Sequence, residues 1–193
     1  GILMSTIVAV RKGNRACIAA DSLTTFGDTK QACGYESSYD KIHRFADNHI
    51  GLVGSAAHHI VMQSLLDDDT AHRFDNRMAI FETFRELHPV LKEKYYLNPK
   101  DEDEDPYESS RMDALLINPH GVFGVFALRE VFEYTRFWAI GSGAEFALGA
   151  MYAVYDQHED PETIARIGVE AGAEFNNATA LPMTSYSVTL KTD

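Results

Sequence analysis

Ser5 and Asp21 are the first residues of this sequence whose spacing brings chemistry within reach. Ser5-Thr6-Ile7-Val8-Ala9-Val10 is rich in β-branched residues and reads as a strand. Lys12-Gly13-Asn14 is a turn, and Arg15 to Asp21 reads as a second strand, with Ala16, Ile18 and Ala20 on one face and Cys17 and Ala19 on the other. Two antiparallel strands joined so tightly place the start of the first beside the end of the second. The Ser5 hydroxyl and the Asp21 carboxylate therefore become neighbours. A serine hydroxyl is a weak nucleophile and needs a base, so the other ionisable groups matter. Taken singly, each has a structural explanation. Asp21 is a strand-end residue, Lys41 an exposed strand lysine, and Gly54-Ser55 and Gly141-Ser142-Gly143 are starts of helices. His58 and His59 are adjacent on a helix, point about 100° apart, and make a poor metal pair. Cys17 and Cys33 are the only cysteines, with neither a disulfide framework nor a zinc spacing, and read as free thiols in a reducing cytoplasm.

The elements that must position these groups follow from periodicity. After a loop from about Ser22 to Asp40, Lys41 to Ala46 alternates as a short strand and Ile50 to Val53 forms another. A helix from Ala56 to about Leu66 carries Ala57, Ile60, Val61, Ser64 and Leu65 on one stripe. A longer helix spans about Asn76 to Tyr95, with Ile80, Phe81, Phe84, Leu87 and Leu91 as its core face and a kink expected at Pro89. Residues Leu97 to Ser110 read as a polar loop. Ala114 to Ile117, Val122 to Phe126 and Val131 to Ile140 are strands. A helix runs from Ala144 to about Tyr155. Asp160-Pro161-Glu162 starts the last one, with Ile164, Ile167, Ala171 and Phe175 on one face. Ser185 to Leu190 closes the chain as a strand. Strands come in blocks rather than alternating with helices, which implies antiparallel sheets. The predicted class is α+β, a four-layer αββα sandwich of two antiparallel sheets flanked by helix pairs.

Composition narrows the classes. The 193 residues are 45% hydrophobic and 24% charged, which suits one globular domain. The net charge of -12 argues against nucleic acid, and there is no cluster of Lys and Arg to meet phosphates. No apolar run reaches the roughly 18–20 residues that span a bilayer. The acidic runs Asp67-Asp68-Asp69 and Asp101 to Asp105 read as solvated loops. Gly1-Ile2-Leu3-Met4 is too short for a signal peptide and reads as a leader or an expression remnant ahead of a single domain over residues 5–193.

In order along the chain, several segments resemble one family. Ser5-Thr6-Ile7-Val8-Ala9-Val10-Arg11 and Ala19-Ala20-Asp21-Ser22 resemble the N-terminal region of HslV and proteasome β-type subunits, and Phe26-Gly27-Asp28-Thr29 resembles the loop that follows. Lys41-Ile42-His43-Arg44-Phe45 resembles the strand that carries the family's catalytic lysine. Val53-Gly54-Ser55-Ala56-Ala57 resembles its oxyanion segment, and Ile140-Gly141-Ser142-Gly143 its second serine motif. Three departures stand out: Ser5 replaces the usual Thr, residues Gly34 to Asp40 form an apparent insert, and His58 stands where the family often has Asp. The first two, with the acidity, bring the chain close to the betaproteobacterial proteasome homologues.

The resemblance implies an N-terminal-nucleophile (Ntn) hydrolase fold and peptide-bond hydrolysis. Ser5 is then the nucleophile, and its own α-amine, with an ordinary pKa of about 7.7–8.0, is the base once Met4 and everything before it is removed. Asp21 holds Lys41 charged, and Lys41 favours the neutral amine and the developing alkoxide. The Gly54 N–H is the expected oxyanion donor, worth about 3 kcal/mol, with Gly51 as its rival. Ser142 would hydrogen-bond the α-amine. Thr24, His43, Leu52, Ala56 and Ile60 fall near the first substrate pocket, and Thr25 should pair with substrate backbone as an added strand. The chemistry needs no cofactor. The family's cation position at the end of the last helix falls on Asn176, Asn177 and Thr179, which do not repeat the usual pattern cleanly. The implied partners are other copies of the chain in a six- or seven-fold double ring, unfolded polypeptide, and an ATP-dependent unfoldase. Two alternatives are an Ntn amidohydrolase of small amides and a silent ring scaffold that keeps its leader. Serine lacks the methyl that restricts χ1 of threonine, so its hydroxyl is less pre-oriented. Ser5 should therefore turn over peptides more slowly than a Ser5→Thr variant. Paired kinetics on the same peptides check this, and a faster parent would refute it.

Overall fold

The computed structural model describes residues 2–68, 73–94 and 112–192. The hairpin read from the first twenty residues forms, with β2 (Ile7–Lys12) and β3 (Arg15–Ala20) antiparallel and Ile7 opposite Ala20. Alternation sorts their side chains as expected. Ile7, Ala9, Ala16, Ile18 and Ala20 face the other sheet, while Val8, Val10, Cys17 and Ala19 face helices.

The remaining elements, in chain order, are β1 (Ile2–Leu3), β4 (Thr24–Phe26), β5 (Thr29–Gln31), β6 (Ile42–Phe45), β7 (Asn48–Ser55), α1 (Ala56–Asp68) and α2 (Arg77–Lys94). They continue with β8 (Met112–Asn118), β9 (Gly121–Phe126), β10 (Glu130–Tyr134), β11 (Phe137–Ile140), α3 (Ala144–Val154), α4 (Pro161–Phe175) and β12 (Thr184–Thr189). One sheet has the order β10-β9-β8-β7-β1-β4-β5, with β6 paired to β7; the other has the order β11-β2-β3-β12, and all the pairs are antiparallel. Three apolar clusters separate four layers. One lies between α1/α2 and the larger sheet, one between the sheets, and one between the smaller sheet and α3/α4. This is the αββα sandwich of the sequence reading.

Several readings are corrected. The loop predicted over residues 22–40 contains the β4–β5 hairpin, turned at Gly27-Asp28, and a short 3-10 turn at Cys33–Tyr35. The strand predicted over Val131 to Ile140 is two strands in different sheets, because the chain turns a corner at Thr135-Arg136. The polar pair Thr135-Arg136 marks that corner, within a run of residues that otherwise suits a strand. The face of α4 is rotated from the predicted one: Ile164, Ala165, Gly168, Val169 and Gly172 are buried, whereas Phe175 is 69% exposed. Small residues form the contact there, and a pattern of large apolar residues points beside it. Ile60 and Phe81 likewise leave the core, at 71% and 39% exposed, while Met62, Leu66, Ile80 and Phe84 fill it. Helix α2 continues through Pro89. Asp67 and Asp68 belong to α1 rather than to a loop. The loop at 97–110, the acidic run at 101–105 and Asp69 lie outside the described residues.

β11 pairs with β2 so that Ile140 stands opposite Ile7. The segment that follows β11 therefore arrives at Ser5. Gly141 there has φ +99°, and a Cβ on it would sit 2.1 Å from the Ser5 carbonyl oxygen. Gly141→Ala should cost about 2–4 kcal/mol of stability, from backbone strain plus that clash. Urea unfolding measures it, and a loss under about 0.5 kcal/mol would show that the contact yields freely.

Candidate active site

Ser5, the residue before Thr6 at the foot of β2, is fully buried, and so is Asp21 just past β3. Lys41, one residue before β6, is 5% exposed and reaches both: its Nζ donates to Ser5 Oγ at 3.0 Å and to Asp21 Oδ1 at 2.9 Å. The Asp21 carboxylate accepts three further bonds, all from backbone N–H groups. Thr6 donates to Oδ1 at 3.1 Å, and Leu23 and Ala180 donate to Oδ2 at 3.2 and 3.1 Å. A buried carboxylate is tolerable only with such a set of donors. Burial lowers the Lys41 pKa from its ordinary value, and the attraction of Asp21 opposes this without cancelling it.

The two glycine candidates separate. A Cβ on Gly51 would meet Ile7 Cγ2 at 2.8 Å, so Gly51 keeps the two sheets in close contact. Gly54 lies near the end of β7 and pairs with Leu3 of β1. β1 fills the gap between β7 and β4, with Ile2 opposite both Ser55 and Thr25. The backbone of Thr25 thus pairs with the segment that precedes Ser5, at the position where an added strand was expected.

Ser142 is placed differently from its expected contact. Its hydroxyl donates to Asn176 Oδ1 at 2.9 Å, and Asn176 Nδ2 returns a bond to Ser142 O at 3.3 Å. The contact to Ser5 from this segment comes from Gly143, whose N–H donates to the Ser5 carbonyl at 3.2 Å. Asn176 Oδ1 also accepts from Ala178 N and the Thr179 hydroxyl, and the Thr179 and Thr6 hydroxyls are 2.9 Å apart. The end of α4 is thereby tied to the foot of β2.

Beside Lys41 lies a cavity of about 660 Å³. Thr24, His43, Leu52 and Ile60 line it, as do Glu36 and Tyr39 from the residues read as an insert. Ala56 begins α1, but its side chain, like that of His58, is outside what is described. Two acidic residues were missed in the sequence. Asp67 accepts from His43 Nε2 at 2.8 Å, which links α1 to the cavity wall, and Asp40 accepts from Ile42 N at 2.9 Å. The first was hidden in an acidic run, and the second stands next to Lys41, which was a usable signal. Cys17 is no rival nucleophile, because burial pushes its thiol up to about 11. Among the described residues no group of three or more His, Cys, Asp or Glu is arranged to hold a metal, and no helix is long and apolar enough to cross a membrane.

No family model matches the chain. Over 174 residues it is 29% identical to the ATP-dependent protease subunit HslV of Bartonella quintana, covering 88% of this chain and 81% of that one. It is 42% identical to BPH of Thiobacillus denitrificans, whose structure matches with a TM-score of 0.91 over 97% of this chain and 100% of the other. The chain belongs to the HslV-like, proteasome β-type family of peptidase subunits. A further structure of the Thiobacillus protein, in complex with Epoxomicin, is 41% identical with a TM-score of 0.90. HslV from Trypanosoma brucei, at 22% identity and a TM-score of 0.71 over 95% of this chain and 99% of the other, shares the fold.

In this HslV-like frame the ammonium of Lys41 is held against burial by one carboxylate, which has a consequence for stability. Its folded pKa lies below the ordinary 10.5 of the unfolded chain. Between those two values the unfolded state binds more protons, so stability climbs with pH in that window and levels off once both states have lost the proton. Lys41→Met removes this contribution. The advantage of the parent over the variant in urea unfolding should therefore grow as pH approaches 10.5. A difference that stays flat or shrinks over that range would contradict a lysine destabilised by burial.

Proposed function

We propose that this chain is the subunit of a self-compartmentalising cytoplasmic peptidase that cleaves peptide bonds with Ser5 as nucleophile. The observation that carries the reading is the buried relay of Asp21, Lys41 and Ser5 Oγ, at 2.9 and 3.0 Å. In the mature form Ser5 is the first residue. Its α-amine takes the hydroxyl proton as Oγ attacks the substrate carbonyl. The Gly54 N–H receives the oxyanion. The amine's new proton goes to the departing nitrogen as the C–N bond breaks, leaving an acyl-ester on Ser5. Water, deprotonated by the same amine, hydrolyses the ester and restores the hydroxyl. Lys41 lowers the energy of the alkoxide as it forms and disfavours a second positive charge on the amine.

Two further observations favour a peptide substrate over a small amide. The gap between β4 and β7 accommodates an extended backbone leading to Ser5, as the pairing of Ile2 and Leu3 illustrates. The cavity beside Lys41, where Leu52 and Ile60 stand among polar side chains such as Glu36 and His43, has room for a substrate side chain. While Met4 precedes it, Ser5 has an amide nitrogen and no basic amine, so this mechanism requires removal of Met4. Assembly into a double ring predicts a particle of about 300 kDa in solution, against a monomer or dimer for an amidohydrolase of small metabolites.

The deciding experiment exposes leader-free protein to a peptidyl epoxyketone, a warhead that reacts with a hydroxyl and a neighbouring free α-amine. The ligand class also fits the Thiobacillus relative, whose structure holds Epoxomicin. The expected result is a covalent adduct mapped to Ser5 by intact mass and peptide analysis. Unmodified protein with Met4 confirmed absent would end the peptidase reading.

A further inference from the structure

Lys41 reaches the relay from a position that the sheet itself does not fix. The ladder between β6 and β7 begins with Ile42 opposite Gly51, one residue after Lys41. Among the described strands β6 pairs with β7 and no other, so it is an edge with a free beginning. A flexible four-carbon side chain on a free strand end would hold its ammonium poorly.

What fixes it is the preceding residue. Asp40 Oδ1 accepts from Ile42 N at 2.9 Å, which closes a turn around the Lys41 backbone. The same oxygen accepts from the Thr184 hydroxyl at 2.9 Å, and Oδ2 accepts from the Tyr186 hydroxyl. Thr184 and Tyr186 are alternate residues of β12 and therefore share one face. β12 belongs to the other sheet, and Thr184 pairs there with Ala20, the neighbour of Asp21. One carboxylate thus bolts the start of β6 to the strand beside Asp21. Tyr186 is itself held, with the Arg44 guanidinium over its ring at 4.9 Å and His49 stacked on it at 5.1 Å. Its hydroxyl is pushed up to about 12 by burial and by Asp40, so it remains a proton donor at any working pH.

We propose that Asp40, clamped by Thr184 and Tyr186, is a positioning residue that sets Lys41 at hydrogen-bond distance from Ser5 Oγ. The proposal rests on the peptidase reading of the Ser5 site. Asp21 fixes the ammonium and Asp40 fixes the backbone that delivers it. Without the second, the Lys41 backbone can shift, and its ammonium, still paired with a fixed Asp21, moves off Ser5 Oγ.

The test is a Thr184→Val/Tyr186→Phe double variant of the mature enzyme, assayed on a fluorogenic peptide amide. Neither residue lines the cavity beside Lys41, although Asp40 and Arg44 do, so both kcat and KM are measured. A misplacement of about 1 Å costs up to about 10²-fold, and a fall in kcat of about tenfold or more is expected, larger than any change in KM and with Tm nearly unchanged. Thr184→Ser in place of Thr184→Val should recover much of the loss, and Tyr186→Phe alone should fall between. A purely structural role would lower Tm and active fraction together and leave kcat per folded site untouched, which overturns the proposal. So does an unchanged kcat in the double variant of an active parent. A parent that hydrolyses no peptide removes the peptidase reading, and the clamp's role in catalysis with it.

Discussion

A carboxylate without access to water sits where four chain segments meet. Removing an ionised carboxylate from solvent costs several kcal/mol even after relaxation, and the cost is met only by donors of good geometry. Asp21 draws these from Thr6 at the foot of β2, Leu23 on the way to β4, Ala180 on the way to β12, and Lys41 at the head of β6. Each donor fixes the entry or exit of a strand. The pairing register of the smaller sheet and the position of β6 are thereby set around one point. Loss of any donor would leave a buried charge under-satisfied. The group that organises the reactive centre is also the one the fold can least afford to lose.

Close packing does the rest. Gly143 and Gly172 both lie against Thr6, where an added Cβ would come within 1.9 and 2.3 Å of its hydroxyl oxygen. That hydroxyl in turn meets Thr179, which is bonded to Asn176. The turn after β11 and the end of α4 approach Ser5 only because glycines let them. Small residues therefore perform a task at this site that apolar side chains perform in the cores, which is to determine how closely two backbones come together.

The layers were legible in the sequence because their cause is local. β2 and β3 alternate cleanly, α2 repeats its buried residues at helical spacing, and Asp160-Pro161-Glu162 starts α4 as read, with Asp160 capping Glu162 N. The proximity of Ser5 and Asp21 followed from a tight hairpin. Lys41 needed the family resemblance, because its approach depends on pairing between β6 and β7 and on Asp40, both of them tertiary. The face of α4 was misjudged for a physical reason: Gly168 and Gly172 contribute contact without hydrophobic volume, so a reading weighted by large side chains passes over them. The corner between β10 and β11 was passed over because its only local mark is the polar pair Thr135-Arg136, and the change of sheet is set by the pairing of β11 with β2. Asp67 is exposed, as its acidic neighbours suggested, but it lies on α1 and its partner His43 stands 24 positions away in the sequence.

The position of β1 links fold to chemistry most directly. In the order β7-β1-β4-β5, the β4–β5 hairpin is joined to the larger sheet through Ile2 and Leu3. Without those two residues β7 and β4 face each other as open edges, about two strand spacings or roughly 9–10 Å apart. Open edges carry unpaired N–H and C=O groups and seek a strand. One extended peptide fills such a gap, and its backbone bonds are indifferent to sequence. In the proposed reaction, discrimination must then come from the side chain that reaches the cavity beside Lys41. A slot that pairs with backbone, beside a pocket for a side chain, suits the proposed peptide substrate.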